Sequence, residues 1–281
     1  MIVPDLFQKY GSAAGERGMA HVELALAGSK TIISKLRTKA PFLVQKALYP
    51  DSGMPGMAHV YLMSSAGGIL QGDRMDIKIT ANHGTSSRIT TQAATKIYKM
   101  DKGYATQDIA IAAEDASYLE FIPYQLIPFK SSRFCQNVSV QAAQGSTVVY
   151  SETVSAGRTA SGEEFDFDVC FLKMNVHGEN GKLLFSDAAC IEPESNKDFE
   201  RLFAGKTLWS TIYVVTPDPE RIDQQVDAAI KEHSMLAGCS ALPHDCGLVV
   251  RMLDDSIDRV RQLTESISGI AKSNVLAVAR A

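Results

Sequence analysis

A glycine-rich stretch, SSAGGILQGD at residues 64–73, has the composition of a loop that could hold a phosphate group. Gly67, Gly68 and Gly72 lie within six residues, and Asp73 follows directly. Glycine at this density marks backbone that bends sharply or approaches another group closely. The residues after Asp73 alternate as a strand does, so no helix N terminus follows to bind a pyrophosphate. The stretch is therefore interpreted as a bend and not as a nucleotide site.

A second glycine motif, GKT at residues 205–207, also fails as a nucleotide site. A Walker loop needs a glycine five positions before the Gly-Lys pair, where this chain has Glu200, and it follows a strand rather than a helical segment. The sequence has no Gly-x-Ser-x-Gly motif, and its six histidines lie mostly in apparent turns or at strand edges. The sequence therefore predicts no enzyme.

A cluster of metal-binding side chain types occurs in CSALPHDC, where Cys239, His244, Asp245 and Cys246 fall within eight residues. Thiolates and an imidazole suit zinc or nickel. Structural metal sites usually need four ligands, however, and the sequence has no second cluster to complete this one. A turn with incidental thiols is favoured, and metal storage through Cys239, His244 and Cys246 is kept as an alternative.

Acidic residues also interrupt stretches that otherwise read as strands, at Asp73, Glu152 and Asp187. A carboxylate beside buried strands is costly unless it is paired or hydrated. One interpretation is a salt bridge, with Arg158 as the obvious partner. The other is a hydrated polar interior. The residues alone leave both interpretations open.

An internal repeat indicates the elements that position these side chains. DIKITANHGTSSRI, DIAIAAEDASYLEF and NVSVQAAQGSTVVY align without gaps at offsets of 32 and 29 residues. Their shared columns hold Ile77, Ile109 and Val138, then Ile79, Ile111 and Val140, then Ala81, Ala113 and Ala142, then Gly84, Ala116 and Gly145, and finally Thr85, Ser117 and Ser146. Each unit reads as strand, tight turn and strand. Such units must stack to bury their apolar faces, so the sequence predicts a mainly β fold, a layered β-solenoid or a sandwich.

Further elements are predicted on both sides of the repeats. Strands with a turn at residues 28–30 precede them, and a hairpin that turns at residues 177–181 follows. One helix is expected with Asp218 as N-cap, Pro219 at its first position and a stop at Gly238. A buried strand, CGLVVRML, leads to a second helix capped by Asp254 or Asp255. A weaker third helix is expected in SNKDFERLF. We predict one domain over residues 1–281, with strand repeats over about 60–192 and a helix-containing part over about 193–281.

The composition of the chain limits which binding partners and which cellular compartment are expected. The net charge is −4, without any block of five like charges, which argues against nucleic acid. The five cysteines have no framework spacing, which favours free thiols in a reducing compartment. No signal peptide and no run of 18 apolar residues is evident. A cytoplasmic protein that does not bind membranes is expected.

Five blocks of the chain resemble a known family when taken in order. These blocks are SSAGGILQGDRMDI, TTQAATKIYKM, LEFIPYQLIPFKSSRF, SAGRTASGEEFDF and GCSALPHDCGLVVRML. They are similar to the successive blocks of the urease accessory proteins UreD, called UreH in some bacteria, and the match runs from about Lys30 to Leu253. The resemblance implies a non-enzymatic scaffold built as a coil-like stack of strands with a pair of helices.

The resemblance also implies partners and a cargo. The family binds the accessory protein UreF and, through it, the GTPase UreG, and the assembly docks on the urease apoprotein and helps to deliver nickel. A water-filled passage through the protein is implied as the route. No tightly bound cofactor is expected, only transient Ni²⁺.

Site residues follow from the resemblance position by position. The candidates for the nickel passage are Asp73, Thr95, Glu152, Glu163 and Asp187. The structural motif residues are Gly67, Gly68, Gly72, Lys96, Gly157 and Arg158. Two departures from the family pattern are Gln71-Gly72 in place of a second Gly-Gly pair, and the ending SNVLAVARA in place of a tail with Arg and Trp.

A different class of function remains as the alternative, namely a β-repeat carbohydrate-binding or carboxylate-dependent hydrolytic protein. Two carboxyl groups in an open cleft with an aromatic platform would support a glycosidase. A single tryptophan, Trp209, and an aromatic content of 7% speak against it.

Overall fold

The repeat units form the centre of two facing β-sheets in a computed structural model, which describes residues 3–194 and 203–278. The first sheet has seven strands in the order β14-β13-β11-β8-β5-β1-β2. Their bounds are β1 Arg17–Ala27, β2 Lys30–Lys39, β5 Arg74–Ala81, β8 Ala105–Ala113, β11 Arg133–Ala142, β13 Val169–His177 and β14 Leu183–Ile191. The five inner strands, β13 to β1, run parallel to one another, while β14 and β2 pair antiparallel at the edges.

The second sheet has ten strands, of which eight follow the order β16-β17-β15-β12-β9-β6-β4-β3. Their bounds are β3 Phe42–Val44, β4 Ala58–Ser64, β6 Ser86–Thr91, β9 Tyr118–Phe121, β12 Thr147–Ser155, β15 Leu208–Val215, β16 Leu236–Ala241 and β17 Gly247–Asp254. Two short strands, β7 Thr95–Ile97 and β10 Leu126–Pro128, pair with each other and join the sheet through β12.

The chain coils by passing from one sheet to the other at each repeat. The three predicted units are β5–β6, β8–β9 and β11–β12, and their aligned columns are neighbours in the strand register. Ile77 pairs with Ile109 and Ile109 with Val138, so one column becomes one apolar row. The predicted mainly β, layered and solenoid-like fold is confirmed.

Each turn of the repeat contains the same kind of hydrogen bond. The hydroxyls of Thr85, Ser117 and Ser146 each donate to the backbone carbonyl three residues earlier. Gly84 and Ala116 have φ of 69° and 55°, the left-handed conformation that a tight turn between two strands requires. The column of small and hydroxyl residues in the sequence therefore corresponds to a repeated turn.

Two α-helices lie in the described C-terminal part, α1 at Glu220–His233 and α2 at Ile257–Val278. Together with the outer face of the second sheet they form an apolar cluster that includes Ile222, Val226, Leu263 and Ile267. The remaining helical turns are short 3-10 segments at Asp5–Tyr10, Thr159–Ser161, Glu179–Gly181 and Pro243–Asp245.

The predicted helix boundaries need correction. Pro219 takes the N-cap position of α1, one residue later than expected, and no side chain caps this end. The helix ends at His233 rather than at Gly238, because Ser234 adopts the left-handed conformation and β16 begins two residues later. Asp254 precedes α2 and accepts hydrogen bonds from the N–H groups of residues 255 and 256. The predicted helix in SNKDFERLF lies largely outside the described residues.

The hairpin and the buried strand were predicted correctly. β13 and β14 pair antiparallel around Glu179–Gly181, and β17 occupies the CGLVVRML segment from Gly247. Within the described ranges, no helix is both long and apolar enough to cross a membrane.

Candidate functional site

Two cavities open between the sheets, and the side chain of Glu152 lines both. The first has a volume of about 310 Å³ and reaches from Gly67, Gly68 and Thr95 to Glu152. The second has a volume of about 490 Å³ and reaches from Glu152 to Asp187 at the opposite edge. Glu152 therefore stands at the boundary between them.

The alternation of β12 explains why this carboxyl group points inward. Val148, Tyr150 and Val154 face the core between the sheets, whereas Val149 faces the helices. Glu152 lies two residues from both Tyr150 and Val154, so its side chain points to the same inward face of the strand. Only 8% of its surface is exposed. The strand thus places one ionisable group in an otherwise apolar row.

Neutral polar groups hold one oxygen of this carboxyl. Gln136 Nε2 donates to Oε2 over 3.1 Å, and the Tyr150 hydroxyl donates to the same oxygen over 3.2 Å. Gln107 Nε2 donates in turn to Gln136 Oε1 over 3.1 Å. Gln107 and Gln136 are register neighbours on β8 and β11, so the first sheet presents two amides to a carboxyl of the second.

The second oxygen of Glu152 accepts no hydrogen bond from the described residues. This oxygen, Oε1, is not one of the fully buried polar atoms that lack a hydrogen-bond partner in the described residues. It is therefore exposed to the space of the cavities. No cation forms an ion pair with Glu152 among the described side chains. Burial, together with the nearby charge of Asp187, raises the pKa of Glu152 to about 7, although the hydrogen bonds from Tyr150 and Gln136 act in the opposite direction.

Asp187 lies at the outer end of the second cavity. The hydroxyl of Tyr213 donates to Asp187 Oδ2 over 2.8 Å, and Arg251 pairs with the same oxygen. Burial keeps the pKa of Tyr213 well above its ordinary value, so the phenol stays protonated and donates. The second cavity is thus bounded by a carboxyl at each end.

The first cavity receives the glycine-rich stretch and β7. Thr95 is half-buried, and Lys96 is exposed. A Cβ on Gly68 would lie 2.5 Å from the carbonyl oxygen of Lys96, so that position needs glycine. Gly67, Gly68, Thr95 and Lys96 are therefore brought together with Glu152 at this cavity.

Asp73 lies elsewhere, in the turn that the glycines form. Its Oδ1 accepts the N–H of Glu16 over 2.9 Å, and its Oδ2 accepts the N–H of Leu70 over 2.8 Å. Gly72 has a φ of 76°, and a Cβ there would meet the carbonyl oxygen of Ala13 at 2.5 Å. The bend thus fixes the N-terminal segment, and Asp73 lines neither cavity.

Glu163 also lies apart from the cavities. It pairs with Arg158 and accepts a hydrogen bond from Arg158 Nε over 2.9 Å. The guanidinium of Arg158 lies 4.4 Å from the ring centroid of Phe129. Gly157 has a φ of 139°, and a Cβ on it would lie 2.7 Å from the carbonyl oxygen of Glu163. Arg158 therefore pairs with Glu163 and not with the buried carboxyl of Glu152.

The cysteine and histidine cluster does not converge. Cys239 lies on β16 with its sulfur 3.9 Å from Asp223 Oδ1, while His244 and Cys246 border a separate cavity near Pro217. No group of three or more His, Cys, Asp or Glu side chains in residues 3–194 and 203–278 is placed to hold a metal ion. The folded chain does not bring together the ligand set considered from spacing.

Sequence reasoning missed four residues around Glu152, namely Gln107, Gln136, Tyr213 and Arg251. A signal for two of them was present, because Gln107 and Gln136 occupy equivalent inward positions two residues before Ile109 and Val138. Tyr213 and Arg251 come from strands outside the repeat, so only strand pairing reveals them.

The side chains along the two cavities carry a scattered set of donor atoms. The set includes oxygens from the carboxyls of Glu152 and Asp187, the hydroxyls of Thr95 and Tyr213 and the amide of Gln136, and the second cavity adds the thiol of Cys190. Scattered oxygens bind a hydrated Ni²⁺ far less tightly than a set of thiolates or imidazoles would.

These features define a class of β-rich proteins, a two-sheet coil with one buried carboxyl between two cavities, which together are termed the corridor. The model of the family described as UreD urease accessory protein matches residues 16–280. The chain therefore belongs to the UreD family of urease accessory proteins.

Curated relatives agree with the family match. The urease accessory protein UreD of Cenarchaeum symbiosum is 36% identical over 269 residues, which cover 94% of each chain. Urease accessory protein UreD 2 of Streptomyces griseus is 36% identical over 94% of this chain and 92% of its own length. Urease accessory protein UreD 2 of Brucella canis is 36% identical over 88% of this chain and 83% of its own.

Proposed function

We propose that this protein is a non-enzymatic scaffold of urease maturation, which binds UreF, the GTPase UreG and apo-urease and passes nickel to the urease active site. The family supports the role in urease maturation. One observation carries the nickel route, which is the position of Glu152 between two cavities that open at opposite sides of the sheets.

Nickel would travel between the sheets as a hydrated cation. It would enter past Gly67, Gly68 and Thr95, meet the free oxygen of Glu152, and leave past Asp187. A carboxyl group that is half protonated near pH 7 attracts the ion without holding it firmly, because a proton competes for the same oxygen. The chain would supply the route, and the GTP site would belong to UreG.

Partner binding is tested first. The protein is expected to co-purify with UreF and apo-urease, and UreG is expected only when UreF is present. A folded protein that forms none of these complexes would contradict the scaffold role.

The nickel route is tested separately by Glu152→Ala. We expect the variant to form the same complex and to deliver several-fold less nickel to urease, measured as metal per active site by atomic absorption. Glu163→Ala is the matched control, since Glu163 pairs with Arg158 and lines neither cavity, and it is expected to leave nickel content unchanged. Equal nickel content in urease with both variants would contradict the proposed nickel route.

A further inference from the structure

An ion pair at the outer end of the second cavity joins the two sheets. Asp187 belongs to β14, an edge strand of the first sheet, and Arg251 belongs to β17 of the second. Their side chains meet across the gap at the edge of the sandwich. The contact lies where the second cavity meets solvent, since the side chain of Arg251 is 54% exposed.

The guanidinium lies on the same face as Glu152. Glu152 pairs with Thr211 on β15, and Thr211 pairs with Arg251 on β17, so the three form one inward row. Neighbouring strands lie about 4.8 Å apart, which places the backbones of Glu152 and Arg251 on the order of 10 Å apart. Arg251 therefore carries its charge at the end of the row that an ion leaving Glu152 would follow.

The charged groups that line the second cavity are few, and one of them is basic. Among the described residues its lining contains two carboxyl groups, Glu152 and Asp187, and one basic group, Arg251. The side chain of Arg251 is 54% exposed and that of Asp187 is 25% exposed. A partly exposed pair of this kind is weak, and the long arginine side chain can turn into solvent without leaving a buried charge.

We propose that Arg251 is an exchangeable counter-ion, which occupies Asp187 when the corridor is empty, turns outward when a divalent cation reaches Asp187, and returns to displace it. The inference rests on the proposed nickel route and assigns the release step to one residue. Tyr213 holds Asp187 Oδ2 in place throughout, because its hydroxyl donates to that oxygen independently of the arginine.

The role follows from electrostatics at short range. A fixed positive charge beside the exit repels a divalent ion and competes with it for the same oxygen, so it lowers affinity. Without that charge the two carboxyls would form an uncompensated acidic pair that retains the ion. Arg251 thus makes the exit bind nickel weakly enough to release it.

The experiment measures Ni²⁺ binding to the full chain in its soluble complex with UreF, by equilibrium dialysis with nickel chloride. Arg251→Gln is expected to bind Ni²⁺ about tenfold more tightly than the wild type. Arg251→Lys keeps the charge and is expected to bind as weakly as the wild type. The double variant Asp187→Asn with Arg251→Gln is expected to lose the gain.

Arg221→Gln serves as the matched control, since Arg221 pairs with Asp218 at the surface near α1 and lines neither corridor cavity. It is expected to leave Ni²⁺ affinity unchanged. The proposal is overturned if Arg251→Gln binds no more tightly than the wild type, if neither binds measurably, or if the gain persists without Asp187.

Nickel transfer to urease then separates this inference from the proposed function. We expect Arg251→Gln to retain nickel and to slow its appearance in urease. If Arg251→Gln binds Ni²⁺ more tightly but transfers nickel to urease at the normal rate, Arg251 does not act in delivery, and its role in release is overturned. Normal transfer by Glu152→Ala would instead reject the route itself, whatever the affinity at Asp187.

Discussion

Glu152 is a buried carboxyl whose partners are a phenol and an amide instead of a cation. Such a group is costly to the fold, because burial disfavours its charged form. An apolar residue at this inward position of β12 would continue the row of Val148, Tyr150 and Val154. The carboxyl therefore lowers stability, and the proposed nickel route gives it a function that would offset this cost.

This cost predicts a pH dependence. The pKa of Glu152 rises from 4.5 to about 7 in the folded protein, so between these values the folded state keeps a proton that the unfolded chain releases. The contribution of Glu152 to the free energy of unfolding therefore falls as pH rises from 4.5 to 7, by on the order of 3 kcal/mol. Glu152→Gln removes the titration, so its stability gain over the wild type should grow across this window and level off above it.

Urea unfolding at pH 5, 6, 7 and 8 measures this difference. Glu163→Gln is the control, because pairing with Arg158 lowers the pKa of Glu163, so this residue titrates below the tested range and the stability difference of its variant from the wild type should stay constant from pH 5 to 8. A stability difference between Glu152→Gln and the wild type that stays constant from pH 5 to 8 would show that Glu152 does not titrate in this range.

At the scale of elements, the repeat could be predicted because the aligned positions of its three units indicate both the packed strand faces and the turns between strands. Alternating isoleucine and valine set the inward rows, and the glycine, alanine and hydroxyl columns set the turns. A strand has a period of two, so the inward parity of Glu152 followed from the same pattern. The stacked strands and the inward position of Glu152 could therefore both be predicted from the sequence.

Other features could not be predicted, because they depend on contacts between distant segments. Asp73 was grouped with Glu152 as an acidic residue, yet its oxygens are taken by two backbone N–H groups in a turn. Cys239 and Cys246 are close in sequence, yet the end of α1 at His233 places Cys239 on a strand of its own. Arg251 meets Asp187 only after two sheets have formed around the corridor.

Helix α2 gives a prediction at this scale. Leu263 is fully buried between α2 and the second sheet, so Leu263→Ala should lower the free energy of unfolding by about 2–5 kcal/mol. Gln262→Ala, one residue earlier on the exposed side, should change it by less than about 0.5 kcal/mol. Equal effects in urea unfolding would mean that α2 does not pack through this face.

At the scale of the whole molecule, two sheets of unequal width leave space between them that the coil's own side chains do not fill. The apolar rows close most of the interior, and the level of Gln107, Gln136 and Glu152 remains polar. Cavities lie on both sides of that level, and together they would form the proposed route from one edge of the sheets to the other. The proposed delivery of nickel depends on this route being used.

Obstruction of the route by bulk alone tests that claim most directly. Ala189 lies two residues after Asp187, pairs with the inward Leu172 and lines the second cavity of about 490 Å³, which has room for a larger side chain. Ala189→Trp should leave the fold and the complex intact, and nickel per urease active site should fall several-fold, while Ala189→Ser should deliver as the wild type does. Full nickel delivery by a folded, complex-forming Ala189→Trp variant would contradict passage between the sheets.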